Sequence, residues 1–192
     1  MSHSKLKLGV ALLTLTAAAM AQDTAIDVQR STITIKVSKA GLLSVAAHDH
    51  WISAPITSGT LGETPAAHVA FNVDSAKMTV KADPKVDAKT QAAIQKDMED
   101  MTLETSKFPA ISFRSTHIEK QPDGQWKVDG DLSLHGVTRN VHLTVKRTGD
   151  FYAAHTVLKQ TDFGIKPVSV AGGMIKVKNE LEIDFQIYPR PA

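Results

Sequence analysis

The sequence predicts an all-β protein in which eight antiparallel strands form a barrel that carries one helical insertion. Three observations support this class. Apolar and polar residues alternate along most of the chain, turn signals separate the alternating segments, and only one segment breaks the period of two. Alternation gives each strand one buried and one solvent-exposed face, as in antiparallel sheets, whereas strands of parallel sheets are apolar on both faces. Eight antiparallel strands are enough to close a sheet around a small ligand.

The first clear strand follows Gln29, where apolar residues at 33, 35 and 37 alternate with polar neighbours. Turn signals at 39–41, 122–124, 135–136 and 148–150 indicate successive hairpins. Counting residues 42–61 as one long bent strand brings the number of strands to about eight. The pattern recurs in five further groups: Val69, Phe71 and Val73; Ile111 and Phe113; Trp126, Val128, Leu132 and Leu134; Val141, Leu143 and Val145; and Leu181, Ile183, Phe185 and Ile187.

Residues 86–101 break the alternation and are predicted to form a helix, because alanines stand there among Lys, Gln, Asp and Glu. Ile94, Met98 and Met101 follow four-then-three spacing, so this face is expected to lie against the sheet. The helix either closes one end of the barrel as a plug or lid, or is a connection that covers the core. No long-period repeat or break in composition indicates a second domain.

Residues 1–21 have the pattern of a cleaved secretory signal peptide. Lys5 and Lys7 precede an uncharged run at 8–20, and small residues at 19 and 21 form an Ala-x-Ala site. The run of 13 residues is shorter than the roughly 20 that a membrane-spanning helix needs. We therefore predict one mature domain at 22–192 in a periplasmic or secreted protein. The chain has no cysteine, so it can form no disulfide and carry no lipoprotein lipid.

Charge and motifs exclude several classes of function. The sequence contains 22 Lys plus Arg residues and 20 Asp plus Glu residues. It therefore lacks the excess of basic residues that is typical of a nucleic-acid-binding protein. An aromatic content of 5% is low for the girdles of a transmembrane barrel, so no stable membrane insertion is expected. The sequence has no Gly-x-Ser-x-Gly, His-Glu-x-x-His or glycine-rich phosphate loop, and we predict neither an enzyme nor a bound cofactor. The sequence does not decide between a monomer and a homodimer.

Three ordered motifs carry a family resemblance. Residues 96–113 include Lys107-Phe108-Pro109, residues 130–138 read Gly-Asp-Leu-Ser-Leu-His-Gly-Val-Thr, and Asp162-Phe163-Gly164-Ile165 precedes the closing strand at 177–187. Over residues 26–188 the chain resembles the YceI-like family of bacterial exported proteins. The resemblance implies an eight-stranded, lipocalin-like antiparallel barrel with a helix near one end. It also implies an elongated apolar cavity that holds a polyisoprenoid or a similar long-chain amphiphilic lipid.

Two sets of residues are candidates for contact with such a ligand. The expected use of the barrel is storage, shielding or transport of the lipid, and the alternative is a structural barrel whose core is filled by the same side chains. The predicted mouth comprises His48, His50, Met98, Met101 and Phe108. The predicted inward face comprises Ile33, Ile35, Val37, Phe71, Ile111, Phe113, Leu132, Val141, Leu143, Leu181, Ile183 and Phe185.

His48 and His50 allow a second interpretation. Residues two apart on a strand point to the same side, which suits two ligands of one metal ion. A third ligand would have to come from another histidine, such as one at 68, 117, 142 or 155, or from a carboxylate, and the sequence does not select one. No metal site is therefore assigned, and the histidines indicate either a polar rim, a headgroup contact, or a periplasmic metal-binding or redox-associated module. The lipid-binding members of the family have Gly and Phe in this segment.

Overall fold

The computed structural model describes residues 23–41, 48–63, 67–170, 172 and 174–191. The predicted signal peptide at 1–21 and residues 42–47 of the predicted long bent strand lie outside the described residues. The described chain forms one antiparallel sheet of twelve strands with one α-helix, which confirms the all-β antiparallel class. The strands are β1 (Thr24–Ala25), β2 (Thr32–Ala40), β3 (His50–Ser53), β4 (Ile56–Gly62), β5 (His68–Asp74), β6 (Thr79–Val80), β7 (Ala110–Lys120), β8 (Trp126–Leu134), β9 (Val137–Thr148), β10 (Phe151–Lys159), β11 (Ser169–Val170) and β12 (Ile175–Ile187).

The sheet is curled, and the chain connects strands near its opposite ends. Its strands follow the order β1-β4-β5-β7-β8-β9-β10-β12-β2-β3-β6, with β11 beside β12. β3 and β4 lie near opposite ends of this order, yet only Ala54 and Pro55 separate them in the chain. The Ala54 N–H donates to the Ile33 carbonyl at 3.0 Å, and β1 continues into a bridge between Ile26 and Pro189 that follows β12. The inward faces of the strands therefore surround a common interior.

The predicted number of eight strands differs from the twelve in the described residues. Three of the additional strands, β1, β6 and β11, have two residues each and are too short to produce a visible alternation. The predicted long bent strand contains Pro55, which lacks an N–H group and so cannot continue the hydrogen-bond ladder. It consequently appears as β3 and β4 where it is described.

The predicted helix is present as α1 (Ala88–Asp97), which continues as a π-helical turn at Met98–Thr102. Asp87 caps its N-terminus by accepting a hydrogen bond from the Thr90 N–H at 3.0 Å. Gln95 fastens the helix to the sheet: its Nε2 donates to the Met78 carbonyl at 2.9 Å, and its Oε1 accepts from the Val80 N–H at 2.7 Å. No helix in the described residues is long and apolar enough to cross a membrane.

The prediction that Met101 shares the sheet-facing side of this helix is wrong. Met98 is 6% exposed, but Met101 is 75% exposed. A π-helical turn contains more residues than an α-helical turn, so the three-residue step from Met98 no longer returns to the same face. Thr102 and Leu103 take the inward position instead, and Leu103 is buried.

Two of the sequence motifs meet in the structure. The Phe108 ring lies 4.2 Å from the His135 ring, at the hairpin between β8 and β9. A Cβ on Gly136 would approach the Phe108 ring to 2.7 Å, so the absent side chain makes room for the aromatic ring. His135 Nε2 is also 2.9 Å from a carboxylate oxygen of Glu104. The motif residues therefore join the end of the helical segment to the sheet.

Candidate functional site

The interior of the curled sheet contains a cavity of about 270 Å³. All twelve residues that the alternation predicted to face inward line this cavity. They come from β2, β5, β7, β8, β9 and β12, which the curled sheet arranges around the interior. That these side chains bind a ligand stays a prediction, but the structure does bring the whole set together around open space.

The five predicted mouth residues separate into two groups. His50 and Met98 line the cavity. His48 is exposed and lies outside the lining, with its Nδ1 3.7 Å from an Asp83 carboxylate oxygen. Met101 points to solvent, and Phe108 packs on His135, so neither lines the cavity.

Polar residues occupy a small part of the cavity lining. Asp97 and Lys159 are exposed and mark the side on which the cavity meets solvent. Gln160 is buried, and its Nε2 donates to the Lys178 carbonyl at 2.8 Å. Burial, reinforced by the neighbouring His48, lowers the pKa of His50, against the opposing effect of Asp83 and Asp49. A neutral imidazole at the edge of an apolar cavity is the form that such an environment favours.

The sequence missed other residues outside the strands that complete this cavity. Leu103, Phe163 and Ile165 line it although none of them belongs to a strand. Phe163 ends a 3₁₀ turn at Gln160–Phe163, and Gly164 follows with a φ of 73°. That left-handed conformation favours glycine and turns the chain so that Phe163 is only 2% exposed. The glycine of the Asp-Phe-Gly-Ile motif indicates this turn, but the alternation of apolar and polar residues does not show that Phe163 is buried.

A second cavity of about 90 Å³ lies beyond the first. Phe71, Phe113, Leu143 and Phe185 line both cavities and therefore form the boundary between them. The smaller cavity continues along the inward faces of the same strands. The sequence predicted these strands but not a second cavity between them. Its further apolar lining comprises Leu61, Ala67, Val69, Ile118, Trp126, Val128, Val145, Tyr152, Ala154 and Ile187.

A polar cluster lies beside the smaller cavity. The Tyr152 hydroxyl donates to Glu63, and Arg147 Nη1 donates to the same carboxylate oxygen at 3.0 Å. Burial and the hydrogen bond to Glu63 raise the pKa of Tyr152 to about 12. The Tyr152 hydroxyl therefore stays protonated at neutral pH and acts there as a donor.

No three histidine or carboxylate side chains within the described ranges come close enough together to hold a metal ion. His48 has Asp83 near it, while His50 faces the apolar cavity. Several other histidines each approach a single carboxylate, as His142 does with Asp129 at 2.6 Å and His155 with Asp184 at 2.8 Å. The two-residue spacing of His48 and His50 thus does not develop into a cluster of ligands in the described chain.

A curled antiparallel sheet around an apolar interior is an architecture that can enclose a small ligand or be filled by its own side chains. A family model for the YceI-like domain matches residues 25–188. This chain belongs to the YceI-like family.

Relatives in the sequence comparison are UPF0312 proteins. The one from Shewanella denitrificans is 32% identical over 95 residues, covering 44% of this chain and 49% of that protein. One from Vibrio cholerae is 30% identical over 92 residues, covering 43% of this chain and 47% of that protein. The chain thus spans about half the length of the curated relatives it matches.

Two solved structures are similar in fold. BcnA from Burkholderia cenocepacia has a TM-score of 0.63 at 13% identity, covering 86% of this chain and 99% of that chain. A polyisoprenoid-binding domain from Saccharophagus degradans, implicated in plant cell wall breakdown, has a TM-score of 0.59 at 16% identity, covering 87% and 98%. At these identities the likeness shows the fold alone.

Proposed function

We propose that this protein binds a polyisoprenoid or a similar long-chain lipid inside a closed, lipocalin-like barrel. The observation that carries the proposal is the cavity of about 270 Å³, which is lined predominantly by apolar side chains from strands and helix alike. Family membership supports it, because a fold neighbour is a polyisoprenoid-binding domain. The function is binding rather than catalysis, and the ligand is held by burial of its tail.

The barrel is the natural description of the curled sheet. If β3 and β4 count as one strand broken at Pro55, and the three two-residue strands are set aside, eight long strands surround the interior. This number is the one at which a closed sheet can hold one small ligand. The open space argues against the alternative in which the side chains fill the barrel completely.

The energy of tail burial is sufficient for tight binding. Each methylene group removed from water contributes about 0.8 kcal/mol, so about ten of them contribute about 8 kcal/mol. Association costs at least about 4 kcal/mol, which leaves a short acyl chain weakly bound. A longer isoprenoid tail gains more, and it needs no strong polar anchor. We expect His50, which is half-buried at the edge of the cavity, to contact a neutral polar head.

We further propose that the mature protein is periplasmic or secreted, after removal of residues 1–21, and carries the lipid between membranes. Residues 86–108, which include α1, would act as the lid. α1 has no buried residue, and side-chain hydrogen bonds from Gln91 and Gln95 attach it to the β6 region. The α1 part of this segment can therefore open at lower cost than a packed core, whereas the buried Met98 and Leu103 anchor the part that follows it.

Native mass spectrometry on protein purified from the exported fraction, without detergent or chelator, tests this function. The expected result is an added mass of several hundred daltons that dissociates as an apolar lipid. Leu158→Trp should abolish that added mass, because Leu158 lines the cavity and the larger ring would fill it. Val157→Trp is the matched control: the neighbouring residue on β10 is 50% exposed and should keep the lipid.

Three results would contradict the proposal. A bare chain of the mature mass, even after incubation with geranylgeraniol, would remove the support for lipid binding. Equal lipid loss in both tryptophan variants would show that the cavity is not the binding place. One added metal ion that is lost on replacing His48 and His50 with alanine would move the function to the histidines.

A further inference from the structure

The boundary between the two cavities consists mainly of aromatic rings from opposite walls of the interior. Phe71 on β5 pairs directly with Phe113 on β7, and their ring centroids lie 5.4 Å apart. Phe185 belongs to β12, which is not hydrogen-bonded to β5, yet its ring centroid is 6.3 Å from that of Phe71. Because these strands are not neighbours, the contact between Phe71 and Phe185 crosses the interior.

The backbone around this layer accommodates the rings. A Cβ on Gly130 would lie 2.4 Å from the Phe113 ring, so the ring occupies the space that a side chain on β8 would need. A Cβ on Gly59 would lie 2.9 Å from the Cβ of Phe71 and 2.6 Å from Ile26. Gly130 and Gly59 thus leave the space in which the large side chains of Phe113 and Phe71 pack side by side.

We propose that Phe71, Phe113 and Phe185 determine the length of the chain that the protein accepts, by closing the floor of the larger cavity. This inference rests on the proposed lipid-binding function. A tail that enters beside α1 fills the larger cavity, of about 270 Å³, and ends at the rings. The rings keep a longer tail out of the smaller cavity, of about 90 Å³, and so deny it further apolar contact. Beyond that length, added isoprene units stay in solvent and add little affinity.

Trp126 reports which cavity a ligand occupies. It lines the smaller cavity and not the larger one, and its ring lies edge-on to Tyr152 at 5.7 Å. The only other tryptophan, Trp51, is 44% exposed and can be replaced by phenylalanine to leave a single reporter. In this background, a tail confined to the larger cavity should leave Trp126 emission unchanged, whereas a tail below the rings should shift it.

The experiment uses farnesol, geranylgeraniol, solanesol and undecaprenol, with affinities measured by native mass spectrometry and Trp126 emission recorded for each complex. In the single-tryptophan protein, affinity should rise with chain length and then level off, without a change in emission. Phe71→Leu and Phe185→Leu should raise the affinity ratio of solanesol to geranylgeraniol about tenfold, the effect of about two further buried methylenes, and should shift Trp126 emission.

Two control variants make the result specific. Phe163→Leu removes a ring of the same type from the larger cavity without opening the floor, and should leave the length dependence unchanged. Ala154→Leu fills the smaller cavity, opposite Phe185 on β12, and should cancel the effect of Phe71→Leu. Thermal melting establishes that each variant is folded.

The outcomes separate this inference from the proposed function. If no isoprenol binds the single-tryptophan protein, lipid binding itself fails. If the isoprenols bind but their length dependence is the same in Phe71→Leu and Phe185→Leu, the floor does not measure length. If Trp126 emission shifts in the single-tryptophan protein without either leucine substitution, the rings do not close the larger cavity, and the inference is overturned.

Discussion

At the scale of single residues, the interior is selective about charge. His50 is half-buried among apolar cavity residues, and burial together with His48 lowers its pKa from the ordinary value of 6.5. Asp83 and Asp49 act in the opposite direction but do not cancel the effect. The native state therefore binds a proton at His50 less readily than the unfolded state does.

This shift predicts a pH dependence of stability. Because the folded pKa is depressed, the contribution of His50 is complete above about pH 6.5 and is lost as the pH falls from there through the folded pKa. Urea unfolding at several pH values between about 7.5 and about 5 should show a shallower loss of stability in His50→Gln than in the wild type. His117→Gln replaces an exposed histidine on β7 and should behave as the wild type does. Parallel curves for wild type and His50→Gln would contradict this account.

At the scale of elements, alternation was sufficient to assign the side of the sheet on which a residue lies, but not its position along the axis of the curled sheet. Every one of the twelve residues predicted to face inward lines the larger cavity, because a period of two fixes the side of the sheet on which a residue lies. The same period does not reveal which residues on different strands lie next to one another in the interior. The ring layer of Phe71, Phe113 and Phe185, and the division of the interior into two cavities, therefore depend on strand register, which appears only in the structure.

Helical periodicity failed at a single irregularity. The spacing of Ile94, Met98 and Met101 assumes 3.6 residues per turn throughout, whereas the chain forms a π-helical turn at Met98–Thr102. Ile94 and Met98 face the cavity as predicted, and Met101 does not. No residue type in this stretch marks a π-helical turn, so the sequence alone could not have located it.

The two methionines give a direct test of this geometry. Met98→Ala should destabilise the protein by about 2–5 kcal/mol, because a buried side chain is replaced by a cavity extension. Met101→Ala should change stability by less than about 0.5 kcal/mol, because the side chain is 75% exposed. Urea unfolding of the two variants measures the difference. Similar losses in both would mean that the helix continues without the π-helical turn and buries Met101.

At the scale of the whole molecule, the curled sheet brings together chain segments that are far apart in sequence. The end of β1 and the residues that follow it hydrogen-bond to the segment after β12: the Asp27 N–H donates to the Tyr188 carbonyl at 2.8 Å, and the Arg190 N–H donates to the Ala25 carbonyl at 2.7 Å. Ile26, between these bonds, is 1% exposed. The sequence predicted a closed sheet from the number of strands, but the short segments that make these contacts had no alternation to reveal them.

Substitution at Arg190 separates the closing backbone bond from the side chain. Arg190→Pro removes the N–H donor and should lower the free energy of unfolding by about 0.5–1.5 kcal/mol. It should also speed hydrogen exchange at the Asp27 amide, because the adjacent bond to Tyr188 would open more often. Arg190→Ala keeps the donor, and the exposed side chain contributes little, so this variant should match the wild type. Equal stability and equal exchange in both variants would mean that the β1 segment and the segment after β12 stay joined without this bond, and that the packing of Ile26 holds them together.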